Sequence, residues 1–209
     1  MNRYKLEEKI FKILMLGSTT VVLGSLVLIM GAIVWRGLPA LSLEMLTQTP
    51  KGGYYLGKEG GILNAIVGSL LLALGATVLA ALVALPVVIF LQPEYCGRTR
   101  LAGVVQTSLD LLWGVPSIVY GVFGFTVMLF LGMRASLLGG IIALTLVELP
   151  IMARAMQEVL QMVPDALREA SYAVGATRWE TMRLVVMRQA LPGLVTAVLL
   201  AFCRGIGDA

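Results

Sequence analysis

Two ionisable residues, Arg204 and Asp208, lie near the end of the last apolar stretch of the sequence. On a helix, residues four positions apart share one face and can form an ion pair. Charged side chains inside a membrane span are costly, and they usually face the bundle interior or a pathway. Two interpretations therefore stand side by side. Either the two residues form a self-neutralising buried pair, or the Arg204 guanidinium donates hydrogen bonds to a passing oxyanion while Asp208 holds it in place.

A second group of polar residues predicts two short helices joined at a glycine. Asp165 and Glu169 place negative charge near the start of the first helix, where the helix dipole favours it. Gly175 can adopt the left-handed conformation that ends a helix. Thr177 and Glu180 have the spacing of a capping box, which starts the next helix. Lipid does not require such an elbow, so we expect it to dock on a protein partner.

Other chemistry-bearing patterns are weaker. Residues 52–58 match the first seven positions of a phosphate-binding P-loop, but Glu59 follows where Mg²⁺ coordination needs Ser or Thr, which indicates a chance match. Cys96 and Cys203 are far apart and the sequence contains no histidine, so a zinc site, a Cys-His nucleophile or a disulfide framework has little support. We expect no cofactor and no metal.

Two further carboxylates lie close to predicted spans. Glu148 comes directly before Leu149 and Pro150, near the inner end of the fourth predicted span. We expect its side chain to reach the cytoplasmic interface or to pair with Arg154. Asp110 is likewise expected at the interface.

The composition indicates a membrane bundle that positions these residues. The chain of 209 residues is 58% hydrophobic and 13% charged, with a mean hydropathy of +0.91, whereas soluble domains carry about a quarter charged residues.

A span needs about 20 apolar residues. The first run is too long for a signal peptide, so we expect it to be retained. Five crossings are predicted, with a mixed loop at 36–61, an interfacial or buried helix at 101–113, and spans at 13–35, 62–91, 118–131, 137–153 and 190–202. Because the fifth is unfinished, we expect at least one more helix in the natural protein.

The distribution of positive charge predicts the orientation. Eleven Lys and Arg residues lie in the N-terminal segment, the 92–100 loop and the 154–189 segment, against four on the opposite side. Lysine and arginine are retained on the cytoplasmic side. The N-terminus and the 154–189 segment are therefore predicted to be cytoplasmic.

The elbow resembles the EAA loop of ABC importer permeases, since Glu169-Ala170-Ser171 is followed after three residues by Gly175. The flanking sequence at 163–171, 175–181 and 191–196 is similar to the phosphate-specific permeases, and 114–121 and 204–208 extend the likeness. The resemblance covers roughly residues 61–209. It implies an all-α, polytopic transmembrane helical bundle of the type I (MetI-like) importer kind, with about five of six helices present. The implied domains are an N-terminal helix and external loop at 1–61 and a permease core at 62–209, with a coupling loop at 164–192.

The resemblance also implies roles and partners. Arg204 and Asp208 match positions on the family's translocation path. The positions that match the ATPase-coupling loop are Asp165, Arg168, Glu169, Ala170, Ser171, Gly175, Ala176, Thr177, Arg178, Trp179 and Glu180. The implied partners are a homologous sister permease subunit, a cytoplasmic ATPase dimer that hydrolyses ATP, an external phosphate-binding protein and the lipid bilayer of a bacterial or archaeal plasma membrane, and no nucleic acid.

The sequence departs from the family at three places and leaves alternatives open. Met187-Arg188 stands where relatives usually have Leu-Pro, Glu148 where they are usually apolar, and Asp208 where they usually have glutamate. The substrate could be another oxyanion, such as molybdate or sulfate. An intramembrane enzyme has little to build on without histidine or a G-x-S-x-G motif. A structural or assembly membrane protein without a substrate is the remaining alternative.

Overall fold

The computed structural model describes residues 3–50, 60–96, 99–132 and 136–209, and every regular element in these ranges is helical. The P-loop-like segment 52–58 lies outside them. The α-helices are α1 (Arg3–Gly37), α2 (Leu43–Thr47), α3 (Leu63–Phe90), α4 (Arg100–Trp113), α5 (Ser117–Phe130), α6 (Leu137–Gln161), α7 (Asp165–Ala173), α8 (Arg178–Glu180) and α9 (Met187–Asp208).

The chain divides into two compact units, Met1–Asn64 and Ala65–Ala209. In the first, α1 is a helix of 35 residues whose side chains are exposed from Tyr4 to Arg36. The predicted loop after it is partly helical, since a 3₁₀ turn and α2 follow. The Ser42 hydroxyl starts α2 by accepting a hydrogen bond from the Met45 backbone N–H at 3.1 Å, because serine is a favourable N-cap.

The second unit is built around α6, which packs against α9, α5 and α4. Helix α3 contributes a face of small residues, as its sequence predicts: Ala76, Ala80 and Ala84 have no exposed surface. Small side chains let helices approach closely in a membrane. A small residue also allows a close approach where α9 meets α6, since a Cβ on Gly193 would lie 2.5 Å from the Val159 side chain.

Helices α4 and α5 are bent by 99°, and they meet in the gap between the helix predicted at 101–113 and the span predicted at 118–131. The Tyr120 hydroxyl of α5 donates to the Leu112 carbonyl of α4 at 2.8 Å, which ties the two sides of the bend together. With 14 residues, α5 is only about 21 Å long, shorter than a hydrocarbon core of about 30 Å. Residues 118–131, predicted to cross alone, thus form a helix shorter than a full span, and the bent pair of α4 and α5 is either one broken span or a re-entrant loop.

Four helices in the described ranges are long and apolar enough to span a membrane, or five if the bent pair counts as one span. Helix α6 continues beyond the span predicted at 137–153 and ends at Gln161. The second elbow helix was predicted to be short, which was wrong, because residues 178–208 form one continuous helical run. No glycine or proline interrupts the chain between Thr177 and Pro192, so a helix started by the capping box propagates into the apolar stretch. Within this run, Thr181–Val186 forms a π-helical turn.

Candidate functional site

Arg204 and Asp208 form the ion pair that their spacing predicts. The Arg204 Nε lies 2.9 Å from the Asp208 Oδ2, one helical turn away on α9. The arginine side chain is 54% exposed and the aspartate side chain 20%. The self-neutralising pair is thus formed, and both interpretations of it, a structural pair or an anion contact, remain predictions. In this chain the guanidinium is a cation on an apolar helix, held by one carboxylate and open on its other side.

Ser117 extends this pair to α5 and was missed by sequence reasoning. Its hydroxyl donates a hydrogen bond to the Asp208 Oδ1 at 3.3 Å, so the carboxylate is held from two helices. Ser117 also lines two cavities, one of about 560 Å³ shared with Asp208 and one of about 260 Å³ shared with Arg204. Its position directly before the span predicted at 118–131 was the available signal, because α5 begins there.

Glu148 does not lie where the sequence predicts. Its side chain is fully buried, and Oε2 accepts a hydrogen bond from the Thr77 hydroxyl of α3 at 2.9 Å. Within the described residues Oε1 has no hydrogen-bond partner, and it lies against Gly205 of α9. Six positions separate it from Arg154, which on a helix of 3.6 residues per turn places the two on different faces.

Arg154 pairs instead with Asp110 of α4. This contact joins α4 to α6, the helix that also carries Glu148. Asp110, expected at the interface, is half-exposed and has a cation partner that the sequence did not reveal.

The predicted elbow is confirmed as a local structure. Gly175 has a φ of +85°, the left-handed conformation that glycine adopts without steric cost. The Thr177 hydroxyl accepts from the Glu180 backbone N–H at 3.3 Å, and the Glu180 carboxylate accepts from the Thr177 backbone N–H at 2.8 Å. These two bonds are the capping box. The second helix, however, is the start of the long run to Asp208 rather than a short element.

The residues that match the coupling loop do not all face outward. Most are exposed or half-buried, but Arg168 is buried. It pairs with Glu94, which follows α3, and its Nη2 donates to the Leu160 carbonyl at the end of α6 at 3.0 Å. Arg178 also points partly inward, since its Nη1 donates to the Glu94 carbonyl at 2.8 Å. Sequence reasoning missed Glu94, which lies in a short polar loop distant in the chain.

Tyr95 completes the internal contacts of the elbow. Its hydroxyl donates to the Arg178 carbonyl at 3.4 Å. Burial raises the pKa of the Tyr95 phenol above its usual value, with a smaller contribution from Tyr172, so the hydroxyl keeps its proton and remains a donor. Outward from these contacts, the elbow exposes large apolar side chains, with Val174 84% and Trp179 55% exposed.

Comparison with known proteins identifies the fold and the family. Residues 95–209 match the family of binding-protein-dependent transport system inner membrane components. A solved structure of the MetNI methionine ABC transporter in inward facing conformations is 25% identical, with a TM-score of 0.64 over 70% of each chain.

Curated relatives carry the name phosphate transport system permease protein PstA. The chain is 35% identical to that of Yersinia pestis over 88% of its own length and 61% of the relative. It is 36% identical to PstA 1 of Mycobacterium tuberculosis (strain CDC 1551 / Oshkosh), over 71% of this chain and 49% of the relative. For the PstA of Mycobacterium leprae the identity is 33%, over 99% of this chain and 68% of the relative. The chain thus spans about half to two thirds of the length of these relatives.

The family model covers more than half of the chain, and the fold is that of an importer permease with multiple membrane-spanning helices. We conclude that the chain belongs to the binding-protein-dependent transport system inner membrane components, the permease subunits of ABC importers.

Proposed function

We propose that this chain is the permease subunit of an ATP-driven phosphate importer and forms half of the anion path. The half-exposed guanidinium of Arg204 on an apolar helix carries the proposal. A guanidinium can bind a phosphate oxyanion through paired hydrogen bonds. The names of the PstA relatives support phosphate as the anion.

In this mechanism Asp208 and Ser117 position the cation. Asp208 engages the Nε edge of Arg204, which leaves the outer nitrogens for the anion. Ser117 holds the second oxygen of Asp208 from α5. The carboxylate also offsets the positive charge between substrate visits, because an uncompensated charge in a membrane is costly.

The elbow is proposed to couple the bundle to ATP hydrolysis in a separate cytoplasmic ATPase dimer. A homologous sister permease would supply the other half of the path, and an external phosphate-binding protein would deliver the anion. The plasma membrane is the proposed location, with the N-terminus on the cytoplasmic side, as the charge distribution predicts. ATP-driven closure of the ATPases would move the elbow and rock the bundle between inward and outward states.

Substituting Arg204 by lysine in the intact transporter tests the anion path. Lysine keeps the charge but cannot make the same paired contacts, so we expect phosphate uptake to fall by about tenfold or more, the cost of one lost charge-assisted hydrogen bond. Arg36→Lys is the matched control, since Arg36 is exposed in the last turn of α1, and it should leave uptake unchanged. Unchanged uptake in the Arg204 variant would exclude this role.

Competition during the same uptake assay identifies the substrate. An excess of unlabelled phosphate should suppress uptake, whereas sulfate and molybdate should have little effect. Stronger competition by sulfate or molybdate would instead indicate an importer for another oxyanion.

Co-purification with the ATPase tests the coupling role. Gly175→Pro cannot adopt the native φ of +85°, because proline fixes φ near −65°. We expect the ATPase to be lost from the purified complex. Gly103→Ala, at a helical glycine with no atom within 4 Å of the added Cβ, should retain it. Association in both variants would favour a membrane protein that does not use this elbow for docking.

A further inference from the structure

The residues that tie the elbow to the rest of the bundle form a network, the Glu94 clamp, made of Glu94, Tyr95, Arg168, Arg178 and the Leu160 carbonyl. Glu94 and Tyr95 follow the end of α3 and precede α4. They are 74 to 84 positions away in the chain from the arginines that they contact. Four elements therefore meet at one place: the α3–α4 loop, the end of α6, α7 and α8.

Arg168 is the centre of the clamp. Its side chain is 9% exposed and that of Glu94 is 17% exposed, and the two form an ion pair. The other guanidinium nitrogen donates to the Leu160 carbonyl at 3.0 Å. Because a guanidinium is planar and rigid, one side chain on α7 fixes the distance of this helix from both the α3–α4 loop and α6.

The second helix of the elbow is tied to the same two residues. Arg178 donates to the Glu94 carbonyl at 2.8 Å, and Tyr95 donates to the Arg178 carbonyl at 3.4 Å. Between α7 and the π-helical turn, the Ser171 and Thr181 hydroxyls lie 2.9 Å apart and form a hydrogen bond. Both arms of the elbow are thus bound to the loop that follows α3 and to each other.

We propose that Glu94 is a positioning residue that carries displacements of the elbow into α3 and α6. The proposal rests on the coupling role of the elbow proposed above. It divides the residues of the elbow into two groups. Arg168 and Arg178 contact Glu94 and transmit movement, whereas exposed apolar side chains such as Val174 and Trp179 remain for contact with a partner.

The test is the ratio of ATP hydrolysed to phosphate imported by the complete transporter in proteoliposomes. Glu94→Gln keeps the size of the side chain and one oxygen acceptor, but it removes the negative charge that pairs with Arg168. We expect the ATPase to remain bound while the ratio of ATP hydrolysed to phosphate imported rises about fivefold or more. Fivefold is the lower end of the effects that coupling between two sites typically produces. Glu158→Gln, the same substitution at an exposed residue near the end of α6, should leave the ratio unchanged.

A paired replacement separates positioning from stability alone. Replacing both members of a buried ion pair by apolar residues often preserves stability, so Glu94→Leu with Arg168→Met should fold and bind the ATPase. If the clamp only stabilises the fold, this variant recovers the native ratio and the proposal is overturned. A ratio that stays raised supports transmission through the clamp.

Amide hydrogen exchange of α7 distinguishes failure of this proposal from failure of the transport function. In Glu94→Gln we expect faster exchange across Asp165–Ala173 than in the native chain, whatever the chain transports. If the native complex imports phosphate and Glu94→Gln keeps its ratio, the clamp is wrong. If the native complex imports no phosphate, the proposed transport function is wrong, and the amide exchange of α7 then tests the clamp by itself. Equal exchange rates in Glu94→Gln and the native chain would overturn the clamp.

Discussion

The contact between Glu148 and Gly205 predicts a steric penalty that a single methyl group should reveal. A Cβ added at Gly205 would lie 3.0 Å from the Glu148 Cδ and closer still to Oε1. The glutamate cannot easily withdraw, because its side chain is fully buried and bound to Thr77. Gly205→Ala must therefore push α9 away from α6 or displace this carboxyl group from its hydrogen bond.

Two opposing effects set the size of the change. Overpacking a well-packed interior costs about 1–3 kcal/mol, whereas alanine in place of glycine inside a helix gains up to about 1 kcal/mol. We expect Gly205→Ala to lower the free energy of unfolding by roughly 0–3 kcal/mol. Gly121→Ala provides the matched control, because no atom lies within 4 Å of its added Cβ. It should be as stable as the native chain or slightly more stable, so the two variants should differ by about 1–3 kcal/mol.

Unfolding of the purified chain in mixed detergent micelles, followed by far-ultraviolet circular dichroism, measures this difference. The cause is isolated by a double-mutant cycle with Glu148→Ala. Removing the carboxyl group removes the atoms that the methyl group meets, so the double variant should be more stable than the sum of the single effects by about 0.5–3 kcal/mol. Equal stability of the two alanine variants, or strict additivity in the cycle, would refute the reasoning.

Two further substitutions test the local structures that position the sites. Thr177→Ala removes the N-cap of α8 and should cost about 0.5–2 kcal/mol, seen as faster amide exchange at the start of this helix. Thr126→Ala, at an exposed hydroxyl on α5, should change little. Ala80→Leu inserts a large side chain where no surface is exposed and should lower the free energy of unfolding by about 1–3 kcal/mol. Val78→Leu, on the 57% exposed side of the same helix, should not.

The features that the sequence predicted correctly depend on neighbours within a few positions. The Gly175 elbow and the capping box of Thr177 follow from residue types at fixed short spacing, and the structure reproduces both. The Arg204–Asp208 pair is similarly local, four positions apart on one helix. The spans at α1, α3 and α6 follow from long apolar runs, because the bilayer sets their minimum length.

The features that the sequence did not predict depend on distant partners. Glu148 is buried because it meets Thr77, which is 71 positions away. Arg168 faces inward because it meets Glu94, which is 74 positions away. Hydrophobic periodicity reports which face of a helix is apolar, but it does not report which polar residue of another helix will lie opposite. The predicted end of the second elbow helix was wrong for a different reason. A polar segment was taken as the end of the helix, although that segment contains no glycine or proline.

The π-helical turn at Thr181–Val186 changes the direction in which the Arg204 side chain projects from the helix. An α-helix advances about 100° per residue, and a π turn accommodates one residue more than an α turn. Everything beyond it, including Arg204, is therefore rotated by about a quarter turn relative to the elbow, compared with an unbroken α-helix. The elbow end and the membrane end of this helix can thus each meet their own orientation requirement. Deleting one residue from the turn would restore regular α geometry and swing the guanidinium to another side of the bundle, with every residue of the site still present.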